Sequence, residues 1–258
     1  MKKKTKTKTK PVSFVAMVGF VVVVIAIGGI GTLWVKKVKE NSITATRFPL
    51  TVISVKETGK KYAITGEYPI FSDELTVLNN TVEKSVKDHI NEFIKIASTN
   101  WDDRVAMAQS EKEKPQEPFQ CMISWEPQQM NDRYISVVVR MYQYTGGANG
   151  EDIIMTFNYD VTQKKYVTLS DLYPGQGDIL TMISSYAKED LLSQHQNEIF
   201  KGEFMRDMID EGTKPTADNF SKFTFDDTFV TLYFPKYQVA PGVYGEQKVS
   251  VPRALTGK

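Results

Sequence analysis

Cysteine and histidine are almost missing from this 258-residue chain, which has one cysteine, Cys121, and two histidines, His89 and His195. A single thiol excludes an internal disulfide framework, so a fold outside the cytoplasm must be held by packing. Two histidines far apart in sequence remove most metal-centre and acid–base schemes. No Gly-x-Ser-x-Gly elbow, phosphate-binding loop or dinucleotide fingerprint occurs either. These gaps predict a protein that is not an enzyme and holds neither metal nor cofactor.

Net charge is also small, +1 overall, but it conceals an asymmetry. Six lysines fall in the first ten residues, and Lys36, Lys37 and Lys39 follow soon after. Residues 41–258 hold 23 basic against 30 acidic side chains, a balance of −7. An acidic body argues against nucleic acid and favours the approach of a cationic partner.

The one long apolar run is Val12 to Val35, 24 residues without a charge. That is enough to cross roughly 30 Å of hydrocarbon as a helix. A cleaved signal peptide competes, but its apolar core is usually about 7–15 residues long and ends at a small-x-small site. The reading is therefore one transmembrane helix at 12–35, with a lysine-rich cytoplasmic tail at 1–11 and Trp34 as an interfacial anchor. The excess of lysine before the run places the amino terminus inside and the rest of the chain outside a bacterial cytoplasmic membrane, in a periplasm or at the open surface. Gly28 and Thr32 have the small-xxx-small spacing that supports helix pairing.

A polar linker spans 36–47. Strand patterns at Leu50–Lys56 and Tyr62–Phe71 flank a turn at ETGKK, and Leu78, Val82, Val86, Ile90, Phe93 and Ala97 then recur at helical spacing from Thr76 onward. His89 lies beside that apolar face, as a core-edge histidine. The polar stretch 101–117 reads as a connection, which divides a smaller α+β lobe at 48–117 from a second α+β domain at 118–258. In the second, strands are expected at Phe119–Trp125, Tyr134–Tyr144, Asp152–Tyr159 and Tyr166–Thr168. A helix capped by Asp178 and reaching Ile199 follows, then an irregular stretch or short helix at Gly202–Pro215. Strands at Phe220–Phe225, Phe229–Phe234 and Gln247–Val251 close the chain. The expected fold is α+β, with two main helices packed on one antiparallel sheet.

Two loops stand out. Thr145-Gly-Gly-Ala-Asn-Gly150 joins two long strand patterns and is a bland loop, a structural bulge or a binding feature. Phe234-Pro-Lys-Tyr-Gln-Val-Ala-Pro-Gly-Val-Tyr-Gly245 combines prolines that stiffen a loop with tyrosines that offer contact area or a sugar-stacking face, unless those rings are buried. The glycines are expected to let this second loop approach the first, so that both form one end of the sheet and Gly147→Val disturbs them. Thr224-Phe225-Asp226-Asp227 resembles the opening of the first polysaccharide-deacetylase motif, but the paired histidines that hold the metal in those enzymes are absent. A hairpin turn is expected there instead. Cys121 reads as a buried thiol.

Tyr144-Thr-Gly-Gly-Ala-Asn-Gly150, Phe157-Asn-Tyr-Asp160, Leu169-Ser-Asp-Leu172, Phe234-Pro-Lys-Tyr-Gln-Val-Ala-Pro241 and Val249-Ser-Val-Pro252 together resemble the exported region of RsiV-type lysozyme-responsive anti-sigma factors. That region also precedes the catalytic domain of PdaC-type peptidoglycan deacetylases. The resemblance covers roughly residues 48–256 and implies a non-enzymatic binding domain for a lysozyme-like protein or cell-wall peptidoglycan. Tyr144, Gly146, Gly147, Asn149, Tyr237, Pro241 and Tyr244 are its candidate contact residues. Asn149 stands where family members often carry histidine, and Gly242 where they carry an aromatic residue. The short lysine-rich tail leaves no sigma-factor-binding domain to expect, and no deacetylase domain is covered. Two other readings stay open: a cell-envelope hydrolase using Asp226 and Asp227, and a structural or assembly partner of another membrane protein.

Overall fold

The computed structural model describes residues 34–35, 50–196 and 204–254. Nearly all of the expected transmembrane segment lies outside them. Its last two residues, Trp34–Val35 (β1), pair antiparallel with Ser54 and Ile53, so these two belong to a strand and not to the expected helix. Among the described residues no helix is long and apolar enough to cross a membrane.

The main sheet has seven strands in the order β1 to β7, with β2 at Thr51–Thr58, β3 at Tyr62–Ile70, β4 at Phe119–Met130, β5 at Tyr134–Tyr144, β6 at Glu151–Asp160 and β7 at Lys165–Tyr166. One neighbour pair is parallel: β3 runs alongside β4, with Tyr62 opposite Phe119. A parallel pair cannot be closed by a hairpin, and the crossover is supplied by α1, Thr76–Met107. A second, three-stranded antiparallel sheet has the order β10-β9-β8, from Phe223–Phe225 (β8), Phe229–Phe234 (β9) and Gln247–Pro252 (β10). The α+β class holds, but the expected single antiparallel sheet is two sheets, one of them mixed.

α1 extends ten residues beyond Ala97, through the stretch expected to be a connection. Its buried side continues at Trp101, with Val105 packed on the same core one turn later, four residues apart as the helical repeat requires. The helix stops at Ala108, which turns extended while its N–H caps the Arg104 carbonyl.

β5 has an apolar core on one face and a joint on the other. Ile135, Val137, Val139 and Met141 point into a core shared with Phe93, Ala97 and Trp101 of α1. Ser136, Val138 and Arg140, on the alternate face, meet the three-stranded sheet. Behind that second sheet lies another core built from α2 (Leu169–Leu172), α3 (Ile179–Gln194) and α4 (Phe204–Gly212), with Ile183, Leu191 and Ile209 fully buried against Phe220 and Phe234. The layers therefore run α1, main sheet, small sheet, remaining helices. The expected division at 117/118 falls inside one sheet and one core, because β3 and β4 are hydrogen-bonded neighbours; apart from Tyr134, which packs on the second core, the residues of the two apolar cores separate in the chain between Val161 and Val167.

The contact between the sheets combines polar pairs with apolar ones, among them Tyr134 edge-on to Phe225 with centroids 5.3 Å apart. Ser136 Oγ donates to Asn158 Oδ1 at 2.7 Å and accepts the Phe225 N–H at 2.9 Å, while Asn158 Nδ2 donates to the Phe223 carbonyl at 2.7 Å. Two side chains thus satisfy the outer edge of β8, which would otherwise be buried without partners. Arg140 pairs with Glu246 on one side and Gln129 with Asp227 on the other. Val138, Ile154 and Tyr233 form a small apolar patch between them.

Candidate functional site

The Phe234–Gly245 loop is fastened at its base and exposed at its tip. Val239 and Ala240 are buried, and Gln238 Nε2 donates to the carbonyls of Gly212 at 3.0 Å and Asn219 at 3.1 Å, tying the loop to the end of α4. A turn closes from the Gln238 N–H to the Pro235 carbonyl at 3.0 Å, and this leaves Tyr237 at φ 74°. A bulky side chain in the left-handed region is strained and persists only where its surroundings hold it. Here the ring lies against Gly242, where a Cβ would overlap it, and the Lys236 ammonium sits 5.4 Å from the ring centroid.

Beyond Pro241 the chain makes one short turn of 3-10 helix, Gly242–Tyr244, closed by Tyr244 N–H to the Pro241 carbonyl. Tyr237, Val243 and Tyr244 keep 63%, 88% and 40% of their surface exposed. Tyr244 stands edge-on to His195, with centroids 5.4 Å apart, and His195 Nε2 donates to Gln247 Oε1 at 2.8 Å. The result is an exposed aromatic and apolar tip on a support fastened at its base. Half-buried Pro241 frames the short turn and supplies its hydrogen-bonding carbonyl.

The glycine loop belongs elsewhere. Asn100 Nδ2 donates to the Thr145 carbonyl at 3.0 Å, Arg104 donates to the Gly146 carbonyl, and the Arg104 guanidinium lies over the Phe119 ring at 5.9 Å. Its neighbours are the end of α1 and the start of β4, and no hydrogen bond among the described residues joins it to the Phe234–Gly245 loop. The expected approach of the two loops is replaced by this packing. Tyr144 is half-buried edge-on to Phe119, and Gly146 is buried, so both act as supports. Gly147 and Asn149 are exposed. Gly146, at φ +91° with Phe119 2.8 Å and Arg104 2.9 Å from a would-be Cβ, is the constrained glycine; at Gly147 the nearest atom is a comfortable 3.5 Å away.

The other reactive side chains are engaged in structure. Cys121 is buried in β4, and burial pushes its thiol up to about 12, which leaves it protonated and unreactive at neutral pH. His89 donates from Nδ1 to the Ser85 carbonyl one turn back, at 2.8 Å. Asp226 caps its own hairpin, accepting the N–H groups of Thr228 and Phe229, both at 2.7 Å, and Asp227 accepts from Gln129. Adjacent on one turn, these carboxylates have separate hydrogen-bonding duties. Among the described residues no three His, Cys, Asp or Glu side chains gather as a metal would require.

Sequence reasoning missed Val243, the Gln238 clamp and the role of His195. An apolar residue directly after Pro-Gly was the signal available for Val243; the clamp depends on Gly212, 26 residues away, and carries no local signal.

Two family models match this chain, one described as deacetylase PdaC over residues 55–152 and one as a protein of unknown function, DUF3298, over residues 170–254. The chain is 26% identical over 200 residues to the peptidoglycan-N-acetylmuramic acid deacetylase PdaC of Bacillus subtilis (strain 168). That match takes in 76% of this chain but only 38% of the deacetylase, so the chain spans well under half of that relative. Crystal structures of DUF3298 family proteins from Bacteroides fragilis and Pseudomonas aeruginosa share its fold, with TM-scores of 0.56 and 0.52 at 16% and 18% identity. Each aligns with 80% of this chain and with 91% and 90% of its own length, respectively. In sequence the chain is thus similar to part of a peptidoglycan deacetylase, and in fold to proteins of the DUF3298 family.

Proposed function

We propose that this protein is a membrane-anchored, extracytoplasmic binding domain of the bacterial cell envelope that recognises cell-wall glycan and does no chemistry of its own. The observation that carries this is the exposed triad Tyr237, Val243 and Tyr244 on a loop whose base is buried and hydrogen-bonded. Rings held rigidly before binding lose little conformational entropy on contact, which is how aromatic side chains become binding hot spots. Similarity to a protein named for its action on peptidoglycan supports the choice of ligand. The lysine-flanked apolar run at 12–35 supports the anchor, with the amino terminus inside.

A second reading takes a lysozyme-like protein as the partner, in line with the RsiV-type resemblance. The −7 balance of residues 41–258 favours it, because a cationic protein would be steered to such a surface and released by salt. Sedimentation of the full chain in detergent micelles with purified peptidoglycan, beside a pull-down on immobilised lysozyme, separates the two. Retention by peptidoglycan is expected, reduced at least about tenfold in the Tyr237→Ala/Tyr244→Ala double variant, the size of a typical hot spot. A folded protein retained by neither ligand defeats both readings.

A further inference from the structure

The loop that carries the exposed tyrosines is itself opposite in charge to the acidic body of the chain. Between Phe234 and Gly245 the loop holds one lysine, Lys236, and no carboxylate. Glu246, which follows, is mostly buried and paired with both Arg140 and Lys248. Glu211, at the end of α4 under the loop, is paired with Lys214. Asp218 remains as an exposed carboxylate near the base, next to Asn219, whose carbonyl receives Gln238. At the tip, Lys236 forms no ion pair among the described residues, and its ammonium is held beside Tyr237. A positive group with two exposed phenol rings and an exposed valine suits a ligand that is apolar on its ring faces and negative at its substituents.

We infer that the Lys236–Tyr237–Val243–Tyr244 tip binds a sugar chain that bears carboxylate groups, with Lys236 pairing a carboxylate and the tyrosines covering pyranose faces. The inference rests on the glycan reading above and sharpens it. A neutral glycan would leave Lys236 without a role, and a cationic protein would be repelled by it. The pairing is a single charge-assisted hydrogen bond at a partly solvated site, so it contributes selectivity on top of the tyrosine contacts.

The test uses the full chain in detergent micelles with two probes: purified peptidoglycan, and the same material with its carboxyl groups converted to amides. Amidation is expected to weaken binding about three- to tenfold. Lys236→Gln should weaken binding to native peptidoglycan by a similar factor and leave binding to the amidated material unchanged. Raising salt should narrow the gap between the two probes. Equal binding of both probes, with Tyr237→Ala/Tyr244→Ala still reducing retention, overturns the carboxylate inference and leaves the glycan reading standing. A loss in Lys236→Gln that is as large on amidated as on native material also overturns it, since the lysine then acts by some other route. No retention of native peptidoglycan by a protein with an unchanged thermal melt removes the glycan reading itself.

Discussion

At the scale of single residues, two neighbouring glycines with the same place in the sequence pattern have opposite duties. Gly146 must be glycine twice over, for its positive φ and for the Phe119 ring and Arg104 guanidinium pressed against it. Gly146→Val is expected to cost about 2 kcal/mol or more, by strain and overpacking together. Gly147→Val should change stability by less than about 0.5 kcal/mol, as surface substitutions usually do. Urea denaturation of the two variants measures the difference, and equal losses would show that the loop does not depend on the Arg104 contact. The pattern of glycines pointed to the turn, but the expectation that Gly147 is the sensitive position falls on the wrong neighbour, since Gly146 is the pinned one. That choice is made by Phe119 and by Arg104, 42 positions upstream of Gly146. The exposure of Tyr237 and Tyr244 was likewise open in the sequence, because a tyrosine between prolines packs inward or outward according to partners such as Gly242 and His195.

At the scale of elements, most strands and helices were legible because their periodicities are clean. β5, β6, β9 and β10 lie within a residue of the expected spans, and Asp178 caps α3 by accepting the Thr181 N–H at 3.1 Å. α1 was cut short because Asp102, Asp103 and Arg104 are polar, although they occupy its outer side while Trp101 and Val105 keep the inner stripe. The parallel pairing of β3 with β4 had no local mark, since strand direction is set by the crossover between them. The four-residue helix α2 has a sharper signature, with Thr168 and Asp171 forming a reciprocal capping box. The Lys165 ammonium, with the Thr168 N–H and hydroxyl, holds the Asp171 carboxyl down at about 2. An unfolded aspartate titrates near 3.9, so the stabilisation is complete above about pH 4 and is lost as pH falls toward 2. Asp171→Asn is expected to lower stability at pH 6 by about 0.5 kcal/mol, discounted for solvent screening at this exposed site. In thermal melts from pH 6 to pH 2 the gap between parent and variant should close; a gap that widens toward low pH would contradict the assignment.

At the scale of the whole molecule, the two apolar cores are joined through a partly polar seam, and the seam determines whether they unfold together. Its centre is the Ser136–Asn158 pair that satisfies the Phe225 N–H and the Phe223 carbonyl on the outer edge of β8. Ser136→Ala leaves the buried Phe225 N–H without an acceptor and should cost about 1–3 kcal/mol. Trp101 and Trp125 pack in the first core and no tryptophan follows Trp125 in the chain, so tryptophan fluorescence reports on that core and not on the second, and far-ultraviolet circular dichroism on both. In the parent protein the two signals should follow one denaturation curve. In Ser136→Ala/Asn158→Ala they should separate, with circular dichroism beginning to change at lower denaturant. Coincident curves in that double variant would place the coupling elsewhere, at Arg140–Glu246 or in the apolar patch around Tyr233. This seam leaves no mark in the residue pattern, because Ser136 and Asn158 each look like ordinary polar residues on the solvent side of a strand.

β5 carries a further consequence, one of inheritance. Because Ile135, Val137, Val139 and Met141 are committed to the core under α1 and Ser136, Val138 and Arg140 to the small sheet, a change at Val137 must be answered by the helix and a change at Val138 by Tyr233 of the small sheet. Lineages that drift in one layer should therefore carry matched drift in the other, with β5 as the line along which both histories are recorded. A single crossover in the link between β7 and α2 would part β5 and β6 from β8, so recombinants of two relatives joined there should fold only where both parents share the groups that meet across the seam.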